Sequence, residues 1–370
     1  MKLSVIIPTY NEQDNIFTVT ELIDKALQHV NYEIIFVDDS SDNTPDVLSQ
    51  VAKVNAHVRY EHRIDERGLG TAVVRGFELA QGDVLAIMDA DLQHPPEMLN
   101  TMLEEIQKGI DVVVPSRFIP GGSDGGLSLL RKIISAGARY MARLALHSVR
   151  QSTDPTSGFF MIRREVIAGV ILRPIGWKIL IEILARGNYK SIIEIPYAFR
   201  SRSAGESKMS VQEQWNYIKH ISLLVYDSPI DRRFILFALV GLSGVMVNMA
   251  VYIVAVRFGL TVTLAGFISA LIALLSNFIL NDRITWSDSK NSGWLFRASK
   301  YLITSLIGIG IDVGILTFLD HNVHIHYVMA NLIGIFVATA WNYLLSNYWT
   351  WHTAKRKVLI TSSEQVSKRV

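Results

Sequence analysis

Beyond Arg233 the chain carries four long apolar stretches: Phe234–Val256, Leu260–Leu280, Tyr301–Leu319 and Tyr327–Leu345. Each has about the twenty residues needed to cross a bilayer core of about 30 Å. Buried helices of a soluble bundle would mostly keep a polar face, whereas Leu260–Leu280 has no charged residue at all. This half is therefore expected to fold as an all-α, four-helix transmembrane domain over 234–351, entered through a juxtamembrane linker at 227–233 and followed by a tail at 352–370. A hydrophobic content of 49% agrees, being high for a soluble enzyme. The net charge of +2 gives no reason to invoke nucleic acid. The absence of Cys removes disulfides, zinc-thiolate sites and thiol nucleophiles. No signal peptide is expected, because the apolar run Leu3–Ile7 is short and is broken by Pro8.

Lys and Arg set the orientation. Arg232, Arg233, Arg283, Lys290, Arg297, Lys300, Lys355, Arg356 and Lys357 flank the ends that share a side with the N-terminal half. The other side has only Arg257 and the turn Asp320–His326. The positive-inside rule then places the soluble domain and both termini in the cytosol. The apolar half also repeats itself. Gly244 and Asn248 match Gly308 and Asp312, and Asn277-Phe278 through Trp286 match Asn342-Tyr343 through Trp351, at an offset of 64 to 65 residues. Two spans per unit make a parallel repeat. Over Arg233–Trp351 this resembles the GtrA-like family of small four-helix membrane domains. Asp312, an acid inside a span, is either a functional group or, as its repeat mate Asn248 suggests, a member of an interhelical hydrogen bond.

The first 226 residues alternate. Strand-like runs at Leu3–Ile7, Glu33–Val37, Val84–Met88, Asp111–Val114, Phe159–Ile162 and Ile192–Ala198 surround helical stretches at Asn15–Val30, Thr44–Val54, Thr71–Ala80 and Pro96–Lys108. Such alternation predicts an α/β domain with a mostly parallel sheet, whose ligands gather at the carboxyl ends of the strands. Three motifs sit at those ends. Pro8-Thr9-Tyr10-Asn11-Glu12 closes the first strand, and there Tyr10 can stack on a base and Glu12 can accept from one. Asp38-Asp39 closes the second and suits a ribose or base. Either could equally be an ordinary turn or a helix cap. The third is more specific. Val84–Met88 runs into Asp89-Ala90-Asp91-Leu92-Gln93, and acids do not end a buried strand without a partner. Hard oxygen ligands two apart suit Mg²⁺ or Mn²⁺, shared with a substrate pyrophosphate.

The trio resembles family-two glycosyltransferases of GT-A fold, over about Met1–Leu224. Within them it is most similar to dolichyl-phosphate mannose synthases and their bacterial relatives, through Arg67–Ala72, Gly82-Asp83, Ser116-Arg117-Phe118, Thr156–Phe159, Gly176–Leu180 and Arg202–Lys208. The resemblance implies that Pro8, Tyr10, Glu12, Val37 and Asp39 cradle the nucleotide, and that Asp89, Ala90, Asp91 and Gln93 hold metal and sugar. The donor it implies is GDP-mannose and the acceptor dolichyl or another polyprenyl phosphate. Many family-two enzymes also carry an acidic general base, often a Glu-Asp pair. None is found here, Glu182 being the nearest acid. A hydroxyl acceptor needs such a base, whereas a phosphate monoester, with a second pKa near 6, arrives anionic. The missing base therefore favours a lipid phosphate.

Cations to clamp that phosphate are expected at Arg117 and on Leu127–Leu146, an amphipathic segment suited to the headgroup level. Arg131 and Ser135 lie four apart on it, on one face if it is helical. Arg202 and Lys208, in the Gly- and Ser-rich stretch Ser201–Ser210, can close over the donor diphosphate, or can be charges of a solvated linker. Lys178 can reach either phosphate or lie at the surface. Asp89, Asp91, Arg117 and Arg131 form the expected catalytic set. A UDP-glucose-dependent transferase is the near alternative, and a transporter with a nucleotide-sugar sensor is the alternative from another class. A processive synthase is disfavoured, since Gln212-Glu213-Gln214-Trp215 lacks the Arg of that class. The membrane helices also offer surfaces for a homo-oligomer.

Overall fold

The structure is a computed structural model, and it describes residues 1–125, 129–199, 211–289, 292–321, 323 and 326–351. Two compact units result, Met1–Asp231 and Arg232–Val370. The first runs β1 (Leu3–Thr9), α1 (Ile16–Leu27), β2 (Tyr32–Asp38), α2 (Thr44–Val54), β3 (Val58–His62), α3 (Leu69–Leu79), β4 (Val84–Ile87), α4 (Met98–Gln107), β5 (Val112–Ser116), α5 (Leu129–Ala145), β6 (Phe160–Arg163), α6 (Ile179–Arg186), β7 (Ile192–Pro196) and α7 (Val211–Asp227).

The seven strands form one sheet in the order β3-β2-β1-β4-β6-β5-β7. All pairings are parallel except those of β6, which runs antiparallel to both β4 and β5. Strand periodicity sends alternate residues to opposite faces. Val5 and Ile7 join α1, α2 and α4 in one core layer, while Ile6, Ile35 and Val37 join α3 and α6 in the other. Because both faces are covered, β1, β2 and β4 are apolar almost throughout, as parallel strands must be. Their register brings the carboxyl ends together. Pro8 lies beside Val37, Thr9 beside Asp38 and Ile6 beside Ile87. β3 escapes a sequence reading because, on the edge of the sheet, only Val58 of its five residues is fully buried.

The second unit contains α8 (Pro229–Arg257), α9 (Val262–Leu280), α10 (Trp294–His321) and α11 (Tyr327–Leu345). Pro229–Arg257, Val262–Thr285 and Trp294–Leu319 are each long and apolar enough to cross a membrane. The segment 227–233 is not an irregular linker, since α7 ends at Asp227 and α8 begins at Pro229.

The sequence repeat is a structural one. Asn277 of α9 packs against Gly244 of α8, and 64 to 65 residues on, Asn342 of α11 packs against Gly308 of α10. A side chain at either glycine would overlap the amide, so glycine is what lets each helix pair approach. Short π-helical turns follow α9 (Asn281–Thr285) and α11 (Ser346–Thr350). Each delivers a tryptophan, and Trp286 and Trp351 stack with centroids 4.4 Å apart and planes 3° from parallel. Each indole donates across the repeat, Trp351 Nε1 to Asp282 Oδ1 (2.9 Å) and Trp286 Nε1 to Asn347 Oδ1 (3.4 Å). Asp282 also holds Arg297 (2.7 Å), both being buried. Asp312 abuts Gly334 of α11, and among the described residues its Oδ1 meets no hydrogen-bond partner.

Candidate active site

At the end of β1 the chain turns through Asn11, whose φ of +55° lies in the left-handed region that Asn tolerates. The turn is tied to the end of β2. Asn11 N–H donates to Ser40 Oγ (2.7 Å), Ser41 N–H to Asn11 Oδ1 (3.0 Å) and Glu12 N–H to Thr44 Oγ1 (3.0 Å). Tyr10 on this turn is 38% exposed.

Asp38 and Asp39 differ in role. Asp38 faces inward and accepts from Thr9 Oγ1 (2.9 Å), Ser40 Oγ (2.5 Å) and His62 Nδ1 (2.7 Å), a structural tie among β1, β2 and β3. Asp39 takes a two-pronged grip from Arg63, Nε to Oδ1 and Nη2 to Oδ2, both 2.7 Å. Gly68 N–H adds a third bond to Oδ2 at 2.9 Å. Arg63 follows the missed edge strand β3, which is why a sequence reading passes over it.

β4 stops at Ile87, so the acids lie on a turn rather than on an extended strand end. Leu92 sits at φ +62°, which costs a side-chain-bearing residue about 1–3 kcal/mol. Beyond it, Gln93 N–H donates to Asp91 Oδ1 (3.1 Å). Asp91 is buried and the Asp89 side chain is 37% exposed. A Cβ on Gly158 would stand 3.3 Å from Asp89 Oδ2, so the Thr156–Phe159 loop closes directly on this carboxylate. Among the described residues, no three His, Cys, Asp or Glu side chains form a ready cage for a metal ion. Two carboxylates on one turn nevertheless suit Mg²⁺ or Mn²⁺, which take few protein ligands and fill their shell with water and phosphate oxygens.

Lys178 stands within electrostatic reach of Asp89, and Arg117 within reach of Lys178. Arg117 follows β5 and grips Asp154, which is fully buried, through Nε (2.9 Å) and Nη2 (3.2 Å). Burial alone would lower the guanidinium pKa, but Asp154 outweighs it and holds it above the usual arginine value. Lys178 Nζ donates to Thr156 O (3.1 Å). Burial first, and the Arg117 charge second, keep its ammonium below the usual lysine range. His94 lies buried behind the acids, and burial pushes its imidazole down to about 4.

The acids nearby are engaged. Glu194 of β7 accepts from Ser152 Oγ, Thr153 N–H and Thr153 Oγ1 at 2.6–2.7 Å. Glu182 is fully buried on α6, within 2.7 Å of His220 Nε2, and accepts from Arg186 Nε (2.8 Å) and Arg173 N–H (2.6 Å). Burial would raise its carboxyl. The His220 bond, then the Arg173 amide and the Arg186 charge, instead hold it below the usual range.

The structure thus gathers Asp89, Asp91, Gln93, Arg117 and Lys178 in one region, and Pro8, Tyr10, Glu12, Val37 and Asp39 along the ends of β1 and β2. Ser135 is half-buried on α5. Arg139 of that helix lies 3.6 Å over the ring of Phe118, next to Arg117. Arg131 is helical on α5, with its side chain outside the described residues. Arg202 and Lys208 also lie outside the described residues. Arg63, Asp154 and Glu194 were missed because their partners are distant in sequence, and His94 because its role is a bond to the main chain of Asp89, which no side-chain pattern signals.

Residues 4–170 match the family model "Glycosyl transferase family 2", and residues 236–351 match "GtrA/DPMS, transmembrane domain". Sheet, site and these matches define a family-two glycosyltransferase of GT-A fold joined to a membrane domain. A dolichol-phosphate mannosyltransferase of Pyrococcus furiosus is 41% identical over 357 residues, covering 95% of this chain and all of that one. The Saccharomyces cerevisiae dolichol-phosphate mannosyltransferase is 35% identical over 60% of this chain and 87% of its own. The polyprenol monophosphomannose synthase of Mycolicibacterium smegmatis is 34% identical over 56% of this chain and 80% of its own. Among solved structures, glucosyl-3-phosphoglycerate synthase from Mycobacterium tuberculosis, with Mn²⁺, uridine diphosphate and its product, aligns over 61% of this chain and 79% of that one, at 18% identity and a TM-score of 0.47. The chain belongs to the dolichol-phosphate mannosyltransferase family, and it is a membrane protein.

Proposed function

We propose that this enzyme transfers mannose from GDP-mannose to dolichyl or another polyprenyl phosphate, releasing GDP. The observation that carries the reading is the electrostatic make-up of the site. Two carboxylates on a strand-end turn share one region with Arg117 and Lys178, while Asp154, Glu182 and Glu194 are each bound up with partners of their own. Such a site is built to hold anions together and not to remove a proton. The names of the relatives point to the same acceptor and sugar.

Asp89, Asp91 and Gln93 would hold Mg²⁺ or Mn²⁺, whose charge offsets that developing on the leaving diphosphate. Pro8, Tyr10, Glu12, Val37 and Asp39 cradle the guanosine, with Ala90 beside the sugar. Lys178, Arg202 and Lys208 are assigned to the donor diphosphate. Arg117, Arg131 and Ser135 are assigned to the lipid phosphate, which attacks the anomeric carbon in line. One displacement inverts that carbon, and the protein contributes orientation and charge rather than a base. Four spans, with the catalytic domain and both termini cytosolic, would keep the domain on the membrane that carries its acceptor, and the same helices would support a homo-oligomer.

The test incubates detergent-purified protein with dolichyl phosphate, Mn²⁺ and labelled GDP-mannose or UDP-glucose in separate reactions. Label is expected in the organic extract from GDP-mannose alone. Transfer from UDP-glucose alone would overturn the donor, and transfer from neither would overturn the acceptor.

A further inference from the structure

His94 follows the acidic turn at once, is 3% exposed, and makes a bond that nothing in the metal chemistry requires. The main-chain N–H of Asp89 donates to its Nδ1 (3.1 Å). A ring nitrogen that accepts carries no proton, so the imidazole is neutral with its hydrogen on Nε2. The same nitrogen stands 3.7 Å from Asp89 Oδ2, too far for a second hydrogen bond. The ring itself is locked. It stacks on Phe159 with centroids 4.9 Å apart and planes 16° from parallel, and Phe199 and Tyr197 meet it at 6.0 and 6.4 Å.

Met88 N–H donates the last bond of the β1–β4 ladder, to Ile6 O (3.2 Å), so Asp89 is the first residue beyond it. One of those that follow, Leu92, is in the left-handed region. Something other than the sheet must therefore set the direction in which the Asp89 carboxylate leaves the backbone. Gly158 limits the side chain from one direction, and the Asp89 amide is tied to His94. We infer that His94 is a positioning residue for the acidic pair: Phe159 fixes the ring, and Nδ1 fixes the main chain at Asp89, so that the carboxylate is held ready before a cation or a nucleotide arrives. It touches neither substrate nor metal and acts through Asp89. The inference rests on the reading of Asp89 and Asp91 as cation ligands.

Two substitutions separate the acceptor from the stack. His94→Phe keeps a ring on Phe159 but removes the acceptor. His94→Asn loses the stack but places an amide oxygen near the position of Nδ1. The probe is Mn²⁺ with GDP on the full-length chain in detergent. Free Mn²⁺ is read by electron paramagnetic resonance, a thermal melt is run alongside, and Asp91→Ala is the control. His94→Phe is expected to weaken Mn²⁺ binding about 10- to 100-fold, the usual cost of losing the group that orients a ligand. It should melt close to the wild type, with KM for dolichyl phosphate unchanged. His94→Asn is expected to restore Mn²⁺ affinity despite a lower melting temperature. Wild-type affinity in His94→Phe overturns the inference, as does an Asn variant as weak as the Phe variant. Wild type that binds Mn²⁺ no better than Asp91→Ala would overturn the cation-ligand reading itself, a different failure.

Discussion

Arg63→Ala tests whether Asp39 can be placed without its buried partner. The two side chains are 6% and 7% exposed and are joined by two hydrogen bonds of 2.7 Å. Removing the guanidinium leaves the Asp39 carboxylate buried, with only the Gly68 amide from its present set (2.9 Å). Breaking a buried pair from one side costs about 3–5 kcal/mol. A bond-by-bond estimate agrees, since two charge-assisted hydrogen bonds at about 1.5–3 kcal/mol each give a similar sum. For a domain of this size each kcal/mol moves the midpoint by about 2–4 °C, so Arg63→Ala should melt about 6–20 °C lower. Differential scanning calorimetry of the detergent-solubilised chain reads this directly. Adding Asp39→Asn to Arg63→Met removes the charge as well as its partner and should recover much of the loss, a positive coupling of the kind seen between contacting residues. In Arg63→Ala, GDP should bind more weakly, because Asp39 is no longer held. A single variant melting within about 2 °C of the wild type would refute the reasoning.

Asp91→Ala should abolish transfer while leaving circular dichroism unchanged; activity that returns at saturating metal would remove Asp91 from the metal site. Arg131→Ala should raise KM for the lipid phosphate far more than for the donor, and equal effects would reassign it to the nucleotide or to structure. Glu182 sets part of the acid limit of stability. Its folded-state carboxyl lies below the ordinary value of 4.5, so its contribution is complete above that pH and is lost as the pH falls through the folded value. Melts recorded from pH 7 to pH 3 should therefore fall less steeply for Glu182→Gln than for the wild type, and parallel profiles would count against it.

Where local signals and global fold agree, the fold was legible. Thr44–Val54 is helical as its pattern requires, with Pro45 in the first turn. The repeat in the apolar half was legible down to single residues, because an interface made by Asn on Gly and by paired tryptophans leaves its own spacing in the chain. β3 was not, since an edge strand with one buried residue reads as polar surface. Nor was the reversed direction of β6, because a short run of three apolar residues pairs as well either way. The site divided along the same line. Asp89 and Asp91 announce themselves, because acids following an apolar strand conflict with burial. Arg63 and Asp154 give no such sign, as each acquires its role from a partner 24 or 37 residues away.

That division bears on the proposed transfer, in which no side chain serves as proton acceptor. A missing sequence motif is weak grounds for a missing base, because any acid folded into the site could serve. The geometry addresses the acids one at a time. Asp154 has one oxygen on each arm of Arg117, Glu194 binds the backbone and hydroxyls of Ser152 and Thr153, and Glu182 is shared by His220 and Arg186. Those donors hold the Glu182 carboxyl below its usual range, which makes it a poor base, and they tie up both oxygens of Asp154 and of Glu194 in hydrogen bonds. An acceptor that must be deprotonated in place is thus poorly served here, whereas one that arrives as an anion needs only cations and alignment. In the proposed reaction Arg117 and Lys178 would supply the first, and the pair of acids at the end of β4, with a bound cation, would supply the second.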